Sequence, residues 1–197
     1  MLHIHPTACI DDGARMGPGT RVWHFSHVCR GADIGPDCVL GQNVYVGPDV
    51  RIGRGVKIQN NVSLFEGVEL EDEVFCGPSV VFTNVNNPRA FINRKQAFRT
   101  TRVARGATLG ANATILCGLH LGAYCLVGAG AVVTRDVTAH ALMTGQPARR
   151  TGWVSRAGEV LAFRDAVARC PHGGEHYRLV DERLECQEPP PVGPNIS

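Results

Sequence analysis

No stretch of the 197 residues approaches the roughly 18 consecutive apolar residues of a membrane-spanning helix. No Lys/Arg-rich block stands out either, and the net charge is only +2. The first absence argues against a membrane span, and the second removes the electrostatic footprint of a nucleic-acid binder. The opening MLHIHPTACIDD has neither the basic end nor the apolar run of a secretory signal, so a cytoplasmic protein is expected. Aromatic residues are scarce at 6%, whereas Gly reaches 23 and Pro 12. That mix suits many short strands joined by tight turns better than a helical bundle. Eight cysteines are present, but without an export signal they do not predict disulfides. Cys38, Cys76 and Cys125 are expected to be small buried hydrophobes in a reducing compartment.

What the chain does have is a repeat of six. Steps of six from Ile4 meet Ile10, Met16, Val22, Val28, Ile34 and Leu40, then Val46, Ile52, Ile58, Leu64 and Leu70, with Cys76 and Phe82 extending the series. Four residues after each comes a second series of small or β-branched residues, such as Ala14, Thr20, Ser26, Ala32, Cys38, Val44 and Val50. Gly often follows the first position, as at Gly17, Gly35, Gly41, Gly47 and Gly53, which suggests unusual backbone angles there. The period breaks after Phe82 and resumes, shifted by three, at Val103, Leu109, Ile115, Leu121, Val127 and Val133. Neither the helical period nor the strand period explains six. A triangular prism does: each hexad is a short strand plus a corner, three hexads close a coil, and coils stack about 4.8 Å apart with backbone groups paired between them. An ordinary β-sandwich would not hold a fixed period over this length.

The run IGPDCV LGQNVY VGPDVR IGRGVK resembles the hexapeptide-repeat acyltransferases, over residues 4–82 and 103–150. The resemblance implies an all-β, left-handed parallel β-helix, an exception to the right-handed crossover rule. It also implies a homotrimer with active sites between subunits. Residues 1–150 then form the acetyltransferase domain, with a loop at 83–102 inserted. Residues 151–197 form a C-terminal extension, read as strand then helix or as a hairpin, with a disordered end, PPPVGPNIS. Residues 57–95 resemble more narrowly the N-acetyltransferases acting on the 3-amino group of a UDP-linked 2-acetamido-3-amino-uronic acid, enzymes of lipopolysaccharide O-antigen sugar biosynthesis. Enzymes for dTDP-linked amino sugars share much of this motif and are the alternative. The co-substrate implied is acetyl-CoA, with no metal.

Residues 18 apart should stack, so His24, Gln42 and Asn60 are expected to form one polar, ligand-facing ladder. Asn43 and Asn61 beside it read as plain corner residues, since Asn tolerates left-handed backbone. The loop carries Arg89, Arg94, Lys95, Arg99 and Arg102, which suits phosphates and a carboxylate. The resemblance favours Asn84 and Arg94 as substrate contacts. The small residues of GATLGANATILCGLHLGAYCLVGAGAVV, including Ala111, Ala129 and Gly130, would let backbone groups approach the thin pantetheine arm, which lies along the last coils in this family. Arg149 and Arg150 are candidates for its phosphates. Acyl transfer to an amine needs orientation and oxyanion stabilisation rather than a protein nucleophile. His24 is the first candidate base and His120 the second, with Asn84 beside the amine; a route in which the departing thiolate takes the proton needs neither histidine. Cys170, His172, His176 and Cys186 do not match a standard zinc spacing. A metal-dependent hydratase and a non-catalytic β-helix subunit stand as the readings from other classes.

Overall fold

The computed structural model describes residues 1–187; the segment PPPVGPNIS lies outside the described residues. Almost every hexad is a strand of two residues followed by a four-residue corner, as at Arg21–Val22, His27–Val28 and Asp33–Ile34. The chain winds through about eight coils of a left-handed parallel β-helix. The first face starts at His3–Ile4 and climbs through Arg21–Val22, Val39–Leu40 and Lys57–Ile58; the second starts at Cys9–Ile10 and the third at Arg15–Met16. Registers such as Lys57 to Val39 and Ser63 to Tyr45 place residues one coil apart directly above one another.

Two-residue strands send successive side chains to opposite sides. Thus Val22, Val28, Leu40, Val46, Ile58 and Leu64 point inward and are fully buried, while their neighbours face out. The second series is buried too, and its polar members are satisfied. Thr20 Oγ1 donates to the carbonyl of Gly35 at 2.9 Å and accepts the Cys38 N–H at 3.1 Å. Ser26 does the same between Gly41 and Val44. Cys38, Cys76 and Cys125 are fully buried, and all eight cysteines are free. Burial pushes the thiols of Cys76 and Cys125 up to about 12.

The glycines have a different reason from the one expected. Gly17, Gly35, Gly41, Gly47 and Gly53 do not have positive φ; a Cβ on any of them would meet the backbone of the next coil, or a side chain bonded to it, at 3.0 Å or less. The left-handed residues come two positions later, at the corner apex, and are as often Asn43 (φ 58), Asn61 (φ 63) or Phe25 (φ 56) as glycine.

The loop is shorter than the sequence indicated. Thr101–Val103 is a strand of the third face, paired with Val68–Leu70. Thr101 is buried, and Arg102 forms an ion pair with Glu69 at 3.0 Å. Arg102 thus leaves the set of loop cations. It joins a column of alternating charge up the third face, Arg15, Asp33, Arg51, Glu69 and Arg102, with Arg15 on Asp33 at 2.9 Å.

After Ala141–Thr144 the chain reverses into Arg149–Trp153, which pairs antiparallel with it and runs across residue 150. Val167–Arg169, His176–Val180 and Arg183–Cys186 form a small antiparallel sheet. The α-helix weighed for GWVSRAGEVLAFRD is not there; an antiparallel bridge joins Val154 and Val160 instead. The extension closes the top of the core: Tyr177 is fully buried, its hydroxyl accepts the Arg156 N–H at 2.9 Å, and its ring meets His140 edge-on at 5.6 Å. No described helix is long and apolar enough to cross a membrane.

Candidate functional site

The corner between the first and second faces holds the polar ladder. His24, Gln42 and Asn60 line one cleft of about 360 Å³ together with Trp23 and Gln59. The His24 ring stacks on His5 with centroids 3.5 Å apart and lies nearly parallel to Trp23. Burial, with His24 and His3 nearby, holds His5 below the ordinary histidine range. Asn60 is turned partly to structural use, since its Oδ1 accepts the Gln42 N–H at 2.9 Å. Asn43 and Asn61 bond each other at 3.0 Å, as expected of corner residues.

The loop leaves a different corner, between the second and third faces. Its stem is pinned: Thr83 Oγ1 accepts the Cys117 N–H at 2.9 Å, the Asn84 carbonyl accepts the Arg99 N–H at 3.0 Å, and Thr101 Oγ1 accepts the Gly118 N–H at 3.1 Å. The Cys117 thiol donates to Asn86 Oδ1 at 3.2 Å, tying the loop to the coil above. These stem contacts leave the Asn84 side chain half-buried and without a hydrogen bond among the described residues. Arg94, also half-buried, has a buried Nε with no partner among the described residues. A buried guanidinium N–H without an acceptor is costly and awaits an anionic or carbonyl oxygen.

Within one chain the ladder and the loop therefore lie at opposite ends of the second face. The hexad phase of His24, Gln42 and Asn60 already separates them from Thr83; adjacency in sequence order does not bring them together. His120 is on the third face, paired in register with Arg102, and its N–H donates to Asp136 at 2.8 Å. His24, His27 and His120 occupy a corner and two different faces, so they do not form a metal triad within the chain. Nor do Cys170, His172, His176 and Cys186 gather as ligands: the Cys170 thiol donates to Ser155 Oγ at 3.2 Å.

Ala111, Ala129 and Gly130 continue the ladder's corner upward, where a Cβ on Gly130 would meet nothing within 4 Å. The small side chains leave the backbone of this edge open. Arg149 and Arg150 line a cleft of about 370 Å³ with Arg135, which the sequence reading missed, and with Asp136 and Glu182. Arg150 is already engaged, 3.3 Å from Glu182 and 4.5 Å from the centre of the Trp153 ring. The Arg149 side chain bonds only the Ala148 carbonyl among the described residues.

A solenoid with a six-residue repeat is the architecture of the hexapeptide transferases. Residues 13–48 and 31–66 match the family described as bacterial transferase hexapeptide (six repeats), and residues 102–135 match the hexapeptide repeat of succinyl-transferase. The chain is 42% identical over 180 residues, covering 90% of itself and 91% of its relative, to a dTDP-3-amino-3,6-dideoxy-alpha-D-galactopyranose 3-N-acetyltransferase of Aneurinibacillus thermoaerophilus. Among solved structures, a GDP-perosamine N-acetyltransferase of Caulobacter crescentus with CoA and GDP-perosamine shares the fold at TM-score 0.55 and 23% identity, covering 77% of this chain and 56% of that one. A hexapeptide-repeat acetyltransferase of Vibrio cholerae bound to acetyl coenzyme A matches at TM-score 0.50 and 26% identity, covering 64% of this chain and 72% of that one. The chain belongs to the hexapeptide-repeat acetyltransferases, enzymes that take their acetyl group from acetyl-CoA.

Proposed function

We propose that the protein acetylates the 3-amino group of a dTDP-linked 3-amino sugar. The observation that carries this reading is the 42% identity, running nearly end to end, to an enzyme named for that substrate class. This substrate replaces the UDP-uronate as the first choice. The uronate reading rested on the resemblance of residues 57–95 and drew support from a crowd of loop cations, of which Arg102 is now spoken for by Glu69. Arg94 keeps the uronate as the second reading, because its unpartnered Nε could serve a carboxylate as readily as a diphosphate oxygen.

In this reading Asn84 hydrogen-bonds the sugar amine and orients its lone pair towards the thioester. An amide bond forms between the acetyl carbonyl carbon and the sugar nitrogen, the carbonyl carbon–sulfur bond breaks, and one proton passes from nitrogen to the departing thiolate. His24 sits at another corner, stacked between rings, so its part as base depends on a neighbouring subunit bringing it to the loop. A homotrimer suits the surface: Phe25, Phe65, Val81 and Phe91 are exposed, whereas the third face is a ladder of ion pairs suited to water. Ala111, Ala129, Gly130 and Arg149 would hold the coenzyme, and an acetamido sugar for a surface polysaccharide such as O-antigen would be the product.

The test is thiol release from acetyl-CoA with a panel of nucleotide 3-amino sugars. The dTDP-linked 3-amino-3,6-dideoxyhexose is expected to have a kcat/KM at least about tenfold above the UDP-3-amino-uronate, a difference of about 1.4 kcal/mol. The reverse order would select the uronate, and no release with any sugar would overturn the acetylation of nucleotide sugars.

A further inference from the structure

At the bottom of the second face, donors of three kinds meet away from the ladder, the loop and the Arg149 cleft. Cys9 and Asp11 are two apart along one coil, so both point outward, and His27 and Cys29 repeat that arrangement one coil higher, with Cys9 and His27 in register. His27 Nε2 is 2.9 Å from Asp11 Oδ1 and 3.9 Å from the Cys29 thiol. The Cys9 sulfur, an Asp11 oxygen and a His27 ring nitrogen all lie within 4.8 Å of one another. The second Asp11 oxygen accepts the Arg30 N–H at 3.2 Å, which orients the carboxylate.

We propose that Cys9, Asp11 and His27, with Cys29 as the fourth donor, bind a zinc-class divalent cation. Metal–ligand bonds of about 2.0–2.3 Å in a tetrahedron put ligand atoms about 3.3–3.8 Å apart. For Cys9, Asp11 and His27 the observed spacing closes to that by side-chain rotation, since Cys9 is exposed and Asp11 and His27 are about 40% exposed, while the buried Cys29 thiol already lies 3.9 Å from His27 Nε2. Two sulfurs, one imidazole and one carboxylate select a borderline-soft ion over magnesium or calcium. Binding would release the protons of the Cys9 and Cys29 thiols. The Cys29 thiol also meets the Tyr45 hydroxyl, but the His27–Asp11 ion pair leaves the exposed Cys9 thiol beside it unexplained. Acyl transfer from a thioester to an amine calls for no Lewis acid, so the ion is structural. It clips the first coil to the second, where the first coil is weakly packed: Ile4 is 37% exposed and Ile10 and Met16 are only partly buried.

The test is a zinc titration of the reduced, metal-stripped full chain against a chromophoric chelator, with cobalt as the spectroscopic probe. About one ion per chain is expected, with a thiolate-to-cobalt band in the near ultraviolet. Cys9→Ala and Asp11→Asn should each weaken zinc by at least about tenfold, the lower end of what even outer-sphere losses cost, while Cys186→Ala leaves it unchanged. Zinc should also slow amide exchange over residues 3–16. Native protein that binds no more zinc than Cys9→Ala overturns the site. So does binding that survives Cys9→Ala and Asp11→Asn but is lost in Cys186→Ala. The readouts are metal content and exchange, so they stand apart from the choice of sugar.

Discussion

Replacing Gly110 by alanine tests the geometry of the proposed coenzyme edge most sharply. A Cβ built there lies 2.5 Å from the Ala129 nitrogen, 2.7 Å from the Gly128 carbonyl carbon and 2.8 Å from the Val127 oxygen. All three are backbone, so no side chain can swing away. Ordinary contacts are about 3.5–4.0 Å, and the coils must part locally by about 1 Å. That stretches the hydrogen bonds Gly110 N–H to Val127 O (2.7 Å) and Gly130 N–H to Ala111 O (2.8 Å). Losing one such bond costs about 1 kcal/mol, and the overpacking a further 1–3 kcal/mol or so, for a total of about 3 kcal/mol. Gly130 is the contrast: its φ is +68 but the space around it is open, so Gly130→Ala carries only the left-handed backbone penalty of about 1 kcal/mol. For a chain of this size 1 kcal/mol moves Tm by about 2–4 °C. Melts at equal protein concentration should therefore show drops of about 6–12 °C for Gly110→Ala and about 2–4 °C for Gly130→Ala. The KM for acetyl-CoA should rise in Gly110→Ala, because Ala111 and Ala129 flank the displaced backbone. Equal melting losses, or a larger one at Gly130, would refute the close approach of the coils.

Arg149→Ala should raise the KM for acetyl-CoA about tenfold, the loss of one charge-assisted bond; Arg150→Ala should do less, because Glu182 and Trp153 already occupy that side chain, and steady-state kinetics decides. Under native conditions at pH 8, an alkylating reagent should label Cys9 and spare Cys76 and Cys125, whose thiols burial pushes up to about 12; peptide mass spectrometry that finds Cys76 modified in folded protein would contradict this. Burial holds His140 below its ordinary value of 6.5. The unfolded chain then binds the extra proton first, so stability is full above 6.5 and is lost as pH falls from there to the folded value, with no further change below it. Urea midpoints at pH 7.5 and 5.5 should differ more in the native protein than in His140→Asn.

The prism was legible because inward positions obey a strict period, and Val22 through Leu64 are buried where that period puts them. The glycines were misread because φ and coil-to-coil contact impose the same residue for different reasons, and only coordinates separate Gly53 from Gly55. The loop's end was set two residues late because Thr101 and Arg102 look like turn residues, while their strand pairing with Val68 and Glu69 depends on a partner far away in sequence. The separation of the ladder from the loop was available from the hexad phase and was masked by their nearness in the chain. Cys9, Asp11 and His27 were missed because each half of the set is a two-residue fragment, and only stacking joins them. The extension's sheet was ambiguous because its strands are short and weakly alternating.

The loop's stem has a consequence for how this scaffold can change. The coils above and below the insertion keep their register: Phe75 pairs with Thr108, where an uninterrupted period would have brought Asn93. The tie between Asn84 and Arg99 closes the segment on itself, and Thr101 rejoins the stack through the Gly67 carbonyl. Residues 85–98 are thus a cassette held at one doorway of a rigid frame. If the loop contacts the acceptor as proposed, exchange of that cassette between relatives that keep the Asn86 tie to Cys117 should carry acceptor preference with it while leaving the melting temperature of the frame nearly untouched.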